Sequence, residues 1–309
     1  MSIDRQPSRF CDLHAHSAAS DGTDPPAQIA GLAVAAGLSA FALTDHDTTA
    51  GLHQAADAAK REGIAFVPAI ELSADPDVLE TGTSRGTLHL LGYFIDPDEP
   101  ELVSLCDELA ESRNQRNPAM LARLAELGVR LDYEEVATLA GATYETSGAA
   151  PAAAKAGVVG RPHIAQAMVQ RGYVKSIHEA FQKYLGHGGA AFVRRDRISA
   201  RRAIDTVHAA GGLAVLAHPV QLRLEDDDCE QVVARLKTLG LDGIETQHPD
   251  HEAGDRARFT RYAEKFGLLT SGGSDYHGQR KATELGSQRV TYETYERLAE
   301  VAGAVIDER

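Results

Sequence analysis

Cysteine is scarce: Cys11, Cys106 and Cys229 are the three in 309 residues. An odd number spread so widely excludes a disulfide framework or a zinc knuckle and reads as free thiols in a reducing compartment, the cytoplasm. Positive charge is also in deficit. Lys plus Arg number 31 against 45 Asp plus Glu, a formal net charge of −14. That balance disfavours stable binding to duplex DNA or to a membrane surface, and any nucleic-acid substrate must be gripped locally. No long apolar run exists. The longest such passage, residues 29–43, has 15 positions broken by Gly31, Gly37 and Ser39, too short to span a bilayer. The first ten residues, MSIDRQPSRF, lack the apolar stretch of a cleaved leader. A G-x-x-x-x-G-K-[ST] phosphate cradle is missing too, which argues against kinase or ATPase action.

The remaining composition is that of a globular protein, 43% hydrophobic and 25% charged, with 13 histidines as the one unusual count. Short apolar runs predict strands over residues 10–13, 40–44, 65–70, 88–93, 213–217, 243–246 and 268–271. Helix patterns over 26–36, 52–62, 200–210, 228–239 and 251–266 fall between them, each followed by a glycine: Gly37, Gly63, Gly211, Gly240 and Gly267. This alternation predicts an α/β fold built on a parallel sheet. Residues 99–191 break the rhythm with successive helix signals, so they are expected to form a helical insertion domain between barrel segments 1–98 and 192–309. Within it, Asp132 with Glu135 and Ser176 with Glu179 fit capping boxes, Pro162 suits a first helical position, and Pro118 predicts a break or kink. The stretch SGAAPAAAKAG, residues 147–157, reads as a mobile loop.

His14 and His16 close the first predicted strand two residues apart, on one face. His46 follows the second strand, Glu71 the third, His89 lies on the fourth, His218 follows the fifth, and Asp275 with His277 follows the seventh. In a barrel, strand ends from distant parts of the chain open on one face, so these residues together with Asp21 are expected to converge. Nine nitrogen and oxygen donors exceed the needs of one tetrahedral ion, which predicts two or three divalent ions, with zinc, manganese and iron all compatible. The ions' charge exceeds that of the three carboxylates, so the pocket should prefer an anion. Phosphate esters are the natural choice, because neighbouring ions hold phosphoryl oxygens, activate water and neutralise the leaving oxygen.

The segments Asp12-Leu13-His14-Ala15-His16-Ser17, Thr44-Asp45-His46-Asp47, His218-Pro219 and Gly273-Ser274-Asp275-Tyr276-His277 resemble the four motifs of the PHP (polymerase and histidinol phosphatase) family. The insertion resembles that of the branch containing nucleoside 3′,5′-bisphosphate phosphatases and 5′-to-3′ exoribonucleases. The resemblance implies a distorted (β/α)7 TIM-like barrel with a trinuclear centre. By the same resemblance His14, His16, Glu71 and Asp275 hold one ion, Glu71 bridges to a second with His89 and His218, and Asp21, His46 and His277 hold the third. Many relatives carry His where this chain has Asp21, whereas the suspected branch resembles this chain in using Asp.

The resemblance also marks Arg116-Asn117 and Gly160-Arg161-Pro162-His163 as substrate-facing, with Arg161 and His163 expected to clamp a second phosphate. His248 and His251 are further candidates for phosphate contact. Arg194, Arg195, Arg197, Arg201 and Arg202 form a basic run able to guide an RNA 5′ end. Asp45 and Asp47 are expected to orient ligands from behind or to form turns. His53, His178, His187 and His208 read as surface or structural residues. The expected activity is metal-dependent removal of the 3′-phosphate from nucleoside 3′,5′-bisphosphates, with Glu71, His218 and His277 as catalytic residues. The rivals are 5′-to-3′ exoribonuclease action on short RNA, histidinol-phosphate phosphatase, and a polymerase-associated module without turnover. C–N hydrolysis, as in related-looking amidohydrolase barrels, is disfavoured because those barrels supply a lysine where this chain has His89.

Overall fold

The computed structural model of the chain describes residues 9–81, 86–140, 158–195 and 197–305. Each apolar run becomes a strand. In chain order the first half contains β1 (Phe10–Asp12), α1 (Pro26–Ala35), β2 (Ala40–Leu43), α2 (Leu52–Glu62), β3 (Ala65–Ala74) and β4 (Leu88–Tyr93). Four helices follow: α3 (Pro100–Glu126), α4 (Tyr133–Leu139), α5 (Arg161–Gln170) and α6 (Ile177–Ala180), the last continued by a π turn over Phe181–Leu185. The second half contains α7 (Ala200–Ala209), β5 (Leu213–Leu216), α8 (Asp226–Thr238), β6 (Gly243–Gln247), α9 (Ala253–Phe266), β7 (Leu269–Gly272), β8 (Val290–Thr291) and α10 (Tyr292–Ala302). β8 and α10 were not anticipated, although Tyr292, Tyr295, Leu298 and Ala299 fall at helical spacing ahead of Gly303.

The strands form one sheet in the order β7-β6-β5-β4-β3-β2-β1-β8. The chain beyond β1 then meets the chain beyond β7: Leu13 N donates to Gly272 O at 3.1 Å and His16 N to Tyr276 O at 2.8 Å. The result is a nearly closed, distorted TIM-like barrel. Gly273 is needed at this seam, because a Cβ there would sit 2.4 Å from both His14 Cβ and His14 N. Asp12 ties the same seam, accepting from His14 N, Ser274 N and Gly286 N.

The expectation of an all-parallel sheet is corrected at β4, which runs antiparallel to both β3 and β5. Parallel neighbours need a helical crossover, and the described residues between Ala74 and Leu88 contain no helix. The reversal carries a functional consequence. His89 lies near the start of β4, and only because β4 is inverted does it pair with Ser73 at the far end of β3, on the open face of the barrel.

Period-two alternation divides each strand. Val67 and Ala69, Leu91 and Tyr93, and Leu213, Val215 and Ala217 belong to one buried apolar cluster that also holds Tyr292, Tyr295 and Leu298 of α10. Their neighbours Ile70, Leu72, Leu90 and Leu216 belong to another, with the surrounding helices. The first cluster is the barrel interior, closed at one end by α10. Glu71 and Ser73 continue the inward row of β3, and His89 that of β4, so apolar packing gives way to polar groups along the barrel axis.

Helix α3 links two cores. Leu102, Leu105 and Leu109 pack on the barrel, whereas Met120, Leu121 and Leu124 join a separate cluster with Val136, Ile164 and Leu185. The helix continues through Pro118, contrary to the expected break. A proline costs a helix interior about 3 kcal/mol, and burial of both flanks offsets it. The Asp132 box does not form; Glu135 instead makes a two-pronged pair with Arg171 at 2.9 and 2.8 Å. Ser176 does cap α6, accepting from Glu179 N at 3.1 Å. Residues 147–157 lie outside the described segments.

Candidate active site

Glu71 is the hub of the open face. Its Oε1 lies 2.8 Å from His89 Nδ1 and 2.8 Å from His218 Nε2. Its Oε2 lies 3.1 Å from His46 Nδ1, 3.2 Å from His16 Nε2 and 3.4 Å from His14 Nε2. Asp275 Oδ1 stands 3.3 Å from His16 Nε2 and 3.6 Å from His14 Nε2. Asp21 Oδ1 approaches His277 Nε2 at 3.2 Å, and Asp21 Oδ2 lies 3.9 Å from His46 Nε2. All nine residues anticipated as metal ligands therefore converge. Among them, His16, Asp21, His46 and His277 form one group whose ligand atoms lie within 4.8 Å of one another, and His14, Glu71 and His218 form another.

The backbone is bent to deliver these groups. Asp47, His218 and Asp275 have positive φ values of 55°, 25° and 50°, conformations that a side chain rarely adopts and that gather at functional sites. Asp45 contacts no imidazole nitrogen at hydrogen-bond distance. It accepts from Ser17 N, Ser17 Oγ and Ser20 Oγ, holding the loop that carries Asp21.

The electrostatics fit a cation-binding set. Burial opposes ionisation of Glu71, yet His46, His89 and His14 hold its carboxyl well below the usual range. Burial likewise opposes ionisation of Asp21 and Asp275, but His277 and His46 beside the first and Lys281 and His277 beside the second keep both low. Burial pushes His46 down to about 3 and also lowers His218 and His277, leaving those rings neutral with lone pairs. Burial opposes charge on His14 and His16 too, but Glu245 and Glu71 raise the first, and Asp275 and Glu71 raise the second to about 9. On these two rings a bound cation would take the place of a proton. Moreover, His16 Nδ1, His16 Nε2, His46 Nδ1 and His218 Nδ1 are buried without a hydrogen-bond partner. Such orphaned groups cost roughly 1–3 kcal/mol each, a cost that a bound divalent ion removes.

Three residues at the centre were missed in the sequence. Glu245, fully buried on β6, accepts from His14 Nδ1 at 3.0 Å and from His218 N at 2.7 Å. Its sequence signal is no more than an acidic residue midway along a short strand. Lys281 forms an ion pair with Asp275 Oδ2. Arg280 donates to Asp21 O at 2.6 Å, and its Nη1 lies 2.8 Å from His163 Nε2.

A cavity of about 800 Å³ opens over the centre, bounded by His46, His89, His277 and Asp275 and by residues of the insertion. Arg113, Arg116, Arg161, Arg195 and Arg197 line it. One buried carboxylate serves this belt: Asp47 Oδ2 accepts from Arg195 Nη2 at 3.0 Å and pairs with Arg113. Arg116 is pushed down to about 8, first by burial and then by the neighbouring guanidiniums. Arg161 is lowered to about 10 for the same reasons. Five guanidiniums against this one buried carboxylate, with Asp75 acting on Arg197, leave a net cationic wall suited to an anion.

The other anticipated substrate residues separate into wall and support. Arg116, Arg161 and His248 face the cavity, and His248 Nε2 lies 3.3 Å from Asp275 Oδ2. Asn117, His163 and His251 do not line it. Asn117 Oδ1 accepts twice from Arg116, at 2.7 and 3.2 Å, and its Nδ2 donates to Val159 O. His163 accepts from Gly160 N, and His251 sits between the rings of His248 and Phe259. In each case burial behind the wall makes the side chain a support. Of the basic run, Arg194, Arg195 and Arg197 line the cavity, whereas Arg201 and Arg202 are exposed and face Asp205 and Glu108. His178 and His187 also line the cavity, so neither is merely surface. A serine-hydrolase elbow is not supported: the match Gly82-Thr83-Ser84-Arg85-Gly86 is followed by strand β4 where that motif requires a helix.

Comparisons with known proteins agree with this geometry. The PHP domain matches residues 12–238. The chain is 34% identical over 266 residues to the 3′,5′-nucleoside bisphosphate phosphatase of Chromobacterium violaceum, covering 86% of each. It is 33% identical over 275 residues to a 5′-3′ exoribonuclease of Haemophilus influenzae, covering 89% of this chain and 92% of that one. It is 35% identical over 269 residues to a phosphoribosyl 1,2-cyclic phosphate 1,2-diphosphodiesterase of Eggerthella lenta, covering 87% and 94%. A structure from Bifidobacterium adolescentis, described as a metal-dependent phosphoesterase, superposes with a TM-score of 0.81 at 28% identity, covering 99% of this chain and all of that one. No helix among the described residues is long and apolar enough to cross a membrane. Fold, converging donors and similarity over nearly the whole length agree: the chain belongs to the PHP domain family and is a metal-dependent phosphoric ester hydrolase.

Proposed function

We propose that the chain removes the 3′-phosphate from nucleoside 3′,5′-bisphosphates, leaving 5′-mononucleotides. The observation that carries this reading is the belt of five guanidiniums beside the histidine and carboxylate centre, which prepares the cavity for a second phosphate. His14, His16, Glu71 and Asp275 would hold one divalent ion, Glu71 with His89 and His218 a second, and Asp21, His46 and His277 a third. Manganese, iron and zinc suit the mixed donor set. Bound ions supply Lewis acidity and a nucleophile at neutral pH.

The protein's own groups do the rest. The insertion, residues 99–191, serves as the recognition domain: Arg116 and Arg161, with Arg113 and Arg195, take the 5′-phosphate as a remote anchor that aligns the 3′-phosphate over the centre. Glu71 holds the surrounding imidazoles in one arrangement. His277 Nδ1 is 2.8 Å from the Asp275 carbonyl oxygen; donation there leaves Nε2 to face Asp21 as a lone pair. His218 does not reach the cavity wall, so Lys281, which does, is the better placed to offset charge on the leaving oxygen. Histidinol phosphate is disfavoured because its own amine and imidazole meet a cationic belt. The three cysteines are free, in keeping with a cytoplasmic setting.

The test is phosphate release by manganese-loaded protein across a substrate panel. Nucleoside 3′,5′-bisphosphates are expected to turn over well ahead of simple monophosphates; equal rates refute the reading. A second reading, stepwise release of mononucleotides from 5′-phosphorylated short RNA, is favoured by the cavity volume of about 800 Å³, more than one nucleotide fills. That reading predicts sequential 5′-mononucleotide products from a short oligoribonucleotide.

A further inference from the structure

The cavity has a third zone beyond the ion centre and the guanidinium belt. All three zones line one cavity. Asp47, next to His46, holds Arg113 and Arg195. Arg161, whose proton affinity is lowered by burial and then by Arg197, Arg113 and Arg195, has its guanidinium carbon 5.5 Å over the ring of Phe181. Phe192 and His187 line the same cavity, with ring centroids 5.4 Å apart.

Phe192 is unlike the other seven phenylalanines. Each of those packs in or against one of the three hydrophobic clusters of described residues, and Phe192 belongs to none. It is half-exposed on the cavity wall. A phenyl ring outside every core gains little from folding, so its position calls for an occupant of the cavity. The occupant must present a flat π face, because Phe192 and His187 offer rings and no carboxylate.

We propose that Phe192, with His187 and Phe181, forms a stacking wall for the nucleobase of the substrate, placed beside the guanidiniums that take its 5′-phosphate. The base and the 5′-phosphate project from one ribose, so neighbouring subsites are what a nucleotide requires. Stacking is tolerant of base identity, so the wall selects for the presence of a base and only weakly among bases. The inference rests on the nucleotide reading above.

Equilibrium binding of AMP and of ribose 5-phosphate to the manganese-loaded full chain separates the two ideas, because neither ligand needs to react. Wild-type protein is expected to bind AMP more tightly than ribose 5-phosphate by about five- to a hundredfold, the range for one stacked base. Phe192→Ala should remove that preference while leaving ribose 5-phosphate affinity unchanged, and Phe192→Tyr should restore it. Equal wild-type affinities, or an Ala variant that weakens both ligands alike, overturn the stacking wall. A retained preference for AMP in a protein that fails to hydrolyse bisphosphates supports the wall and refutes the bisphosphatase reading alone.

Discussion

Replacing Glu245 by Gln tests whether the buried carboxylate behind the centre sets the state of His14. Glu245 Oε1 accepts from His14 Nδ1 at 3.0 Å and Oε2 from His218 N at 2.7 Å. Glutamine is nearly isosteric but carries one acceptor oxygen, so its amide NH₂ must face one of these two donors. If it faces His14, the ring proton must move to Nε2, the nitrogen directed at Glu71 and Asp275. The lone pair needed by an ion is then lost. Removing such an orienting partner lowers metal affinity by about 10- to 100-fold.

Stability supplies a second readout. Burial opposes ionisation of Glu245, but His14 and His248 hold its carboxyl at about 2, against an ordinary 4.5, a difference worth roughly 3 kcal/mol. The folded-state value is the lower one, so this stabilisation is present above about pH 4.5 and is lost as pH falls towards 2. Urea unfolding of the metal-free proteins should therefore show Glu245→Gln less stable by about 3 kcal/mol at pH 7, with the gap narrowing steadily below pH 4. Manganese titration should show the affinity loss. A constant stability gap across that range, or unchanged metal affinity, refutes the reasoning.

Glu71→Gln should abolish phosphatase activity and lower bound metal in elemental analysis, because five imidazoles lose their common anion. Arg161→Met should raise KM for a nucleoside 3′,5′-bisphosphate about tenfold or more, by loss of a charge-assisted contact, while leaving turnover of a simple monophosphate within about twofold; equal losses on both substrates would mean a structural role. Tyr93→Phe should destabilise the barrel by roughly 1–3 kcal/mol in thermal unfolding, since its hydroxyl bonds Leu13 O at 2.9 Å and Ser271 Oγ at 2.7 Å. Gly273→Ala should reduce metal content even where the protein folds, because the new Cβ meets His14 at 2.4 Å.

Much of the fold follows from local pattern. Period-two apolar runs bounded by glycine-terminated helices are decided by neighbours in the chain, and seven strands appear where those runs lie. The nine donors share that legibility, since strand ends open on one face of a barrel and ligand residue types are few. Glu245 shows the limit: an acid within a strand has the same local pattern whether it faces solvent, a lysine or a histidine, and only packing against His14 and His218 distinguishes them.

Other features arise from contacts between segments far apart in sequence. The inversion of β4 depends on how a link without a described helix folds back, and that inversion brings His89 to the open face. The guanidinium belt assembles from Arg113 and Arg116 on α3, Arg161 on α5, and Arg195 and Arg197 beyond the insertion, gathered by one aspartate 66 and 148 residues away from its two partners. Asn117 and His163 share motifs with cavity residues yet stand behind the wall, because neighbouring positions on a helix point in different directions. Residue types and motifs therefore announced a metal-dependent phosphoesterase and marked Arg116 and Arg161, whereas the gathering of these two with Arg113, Arg195 and Arg197 around one cavity was decided by folding, because the five come from segments far apart in the chain.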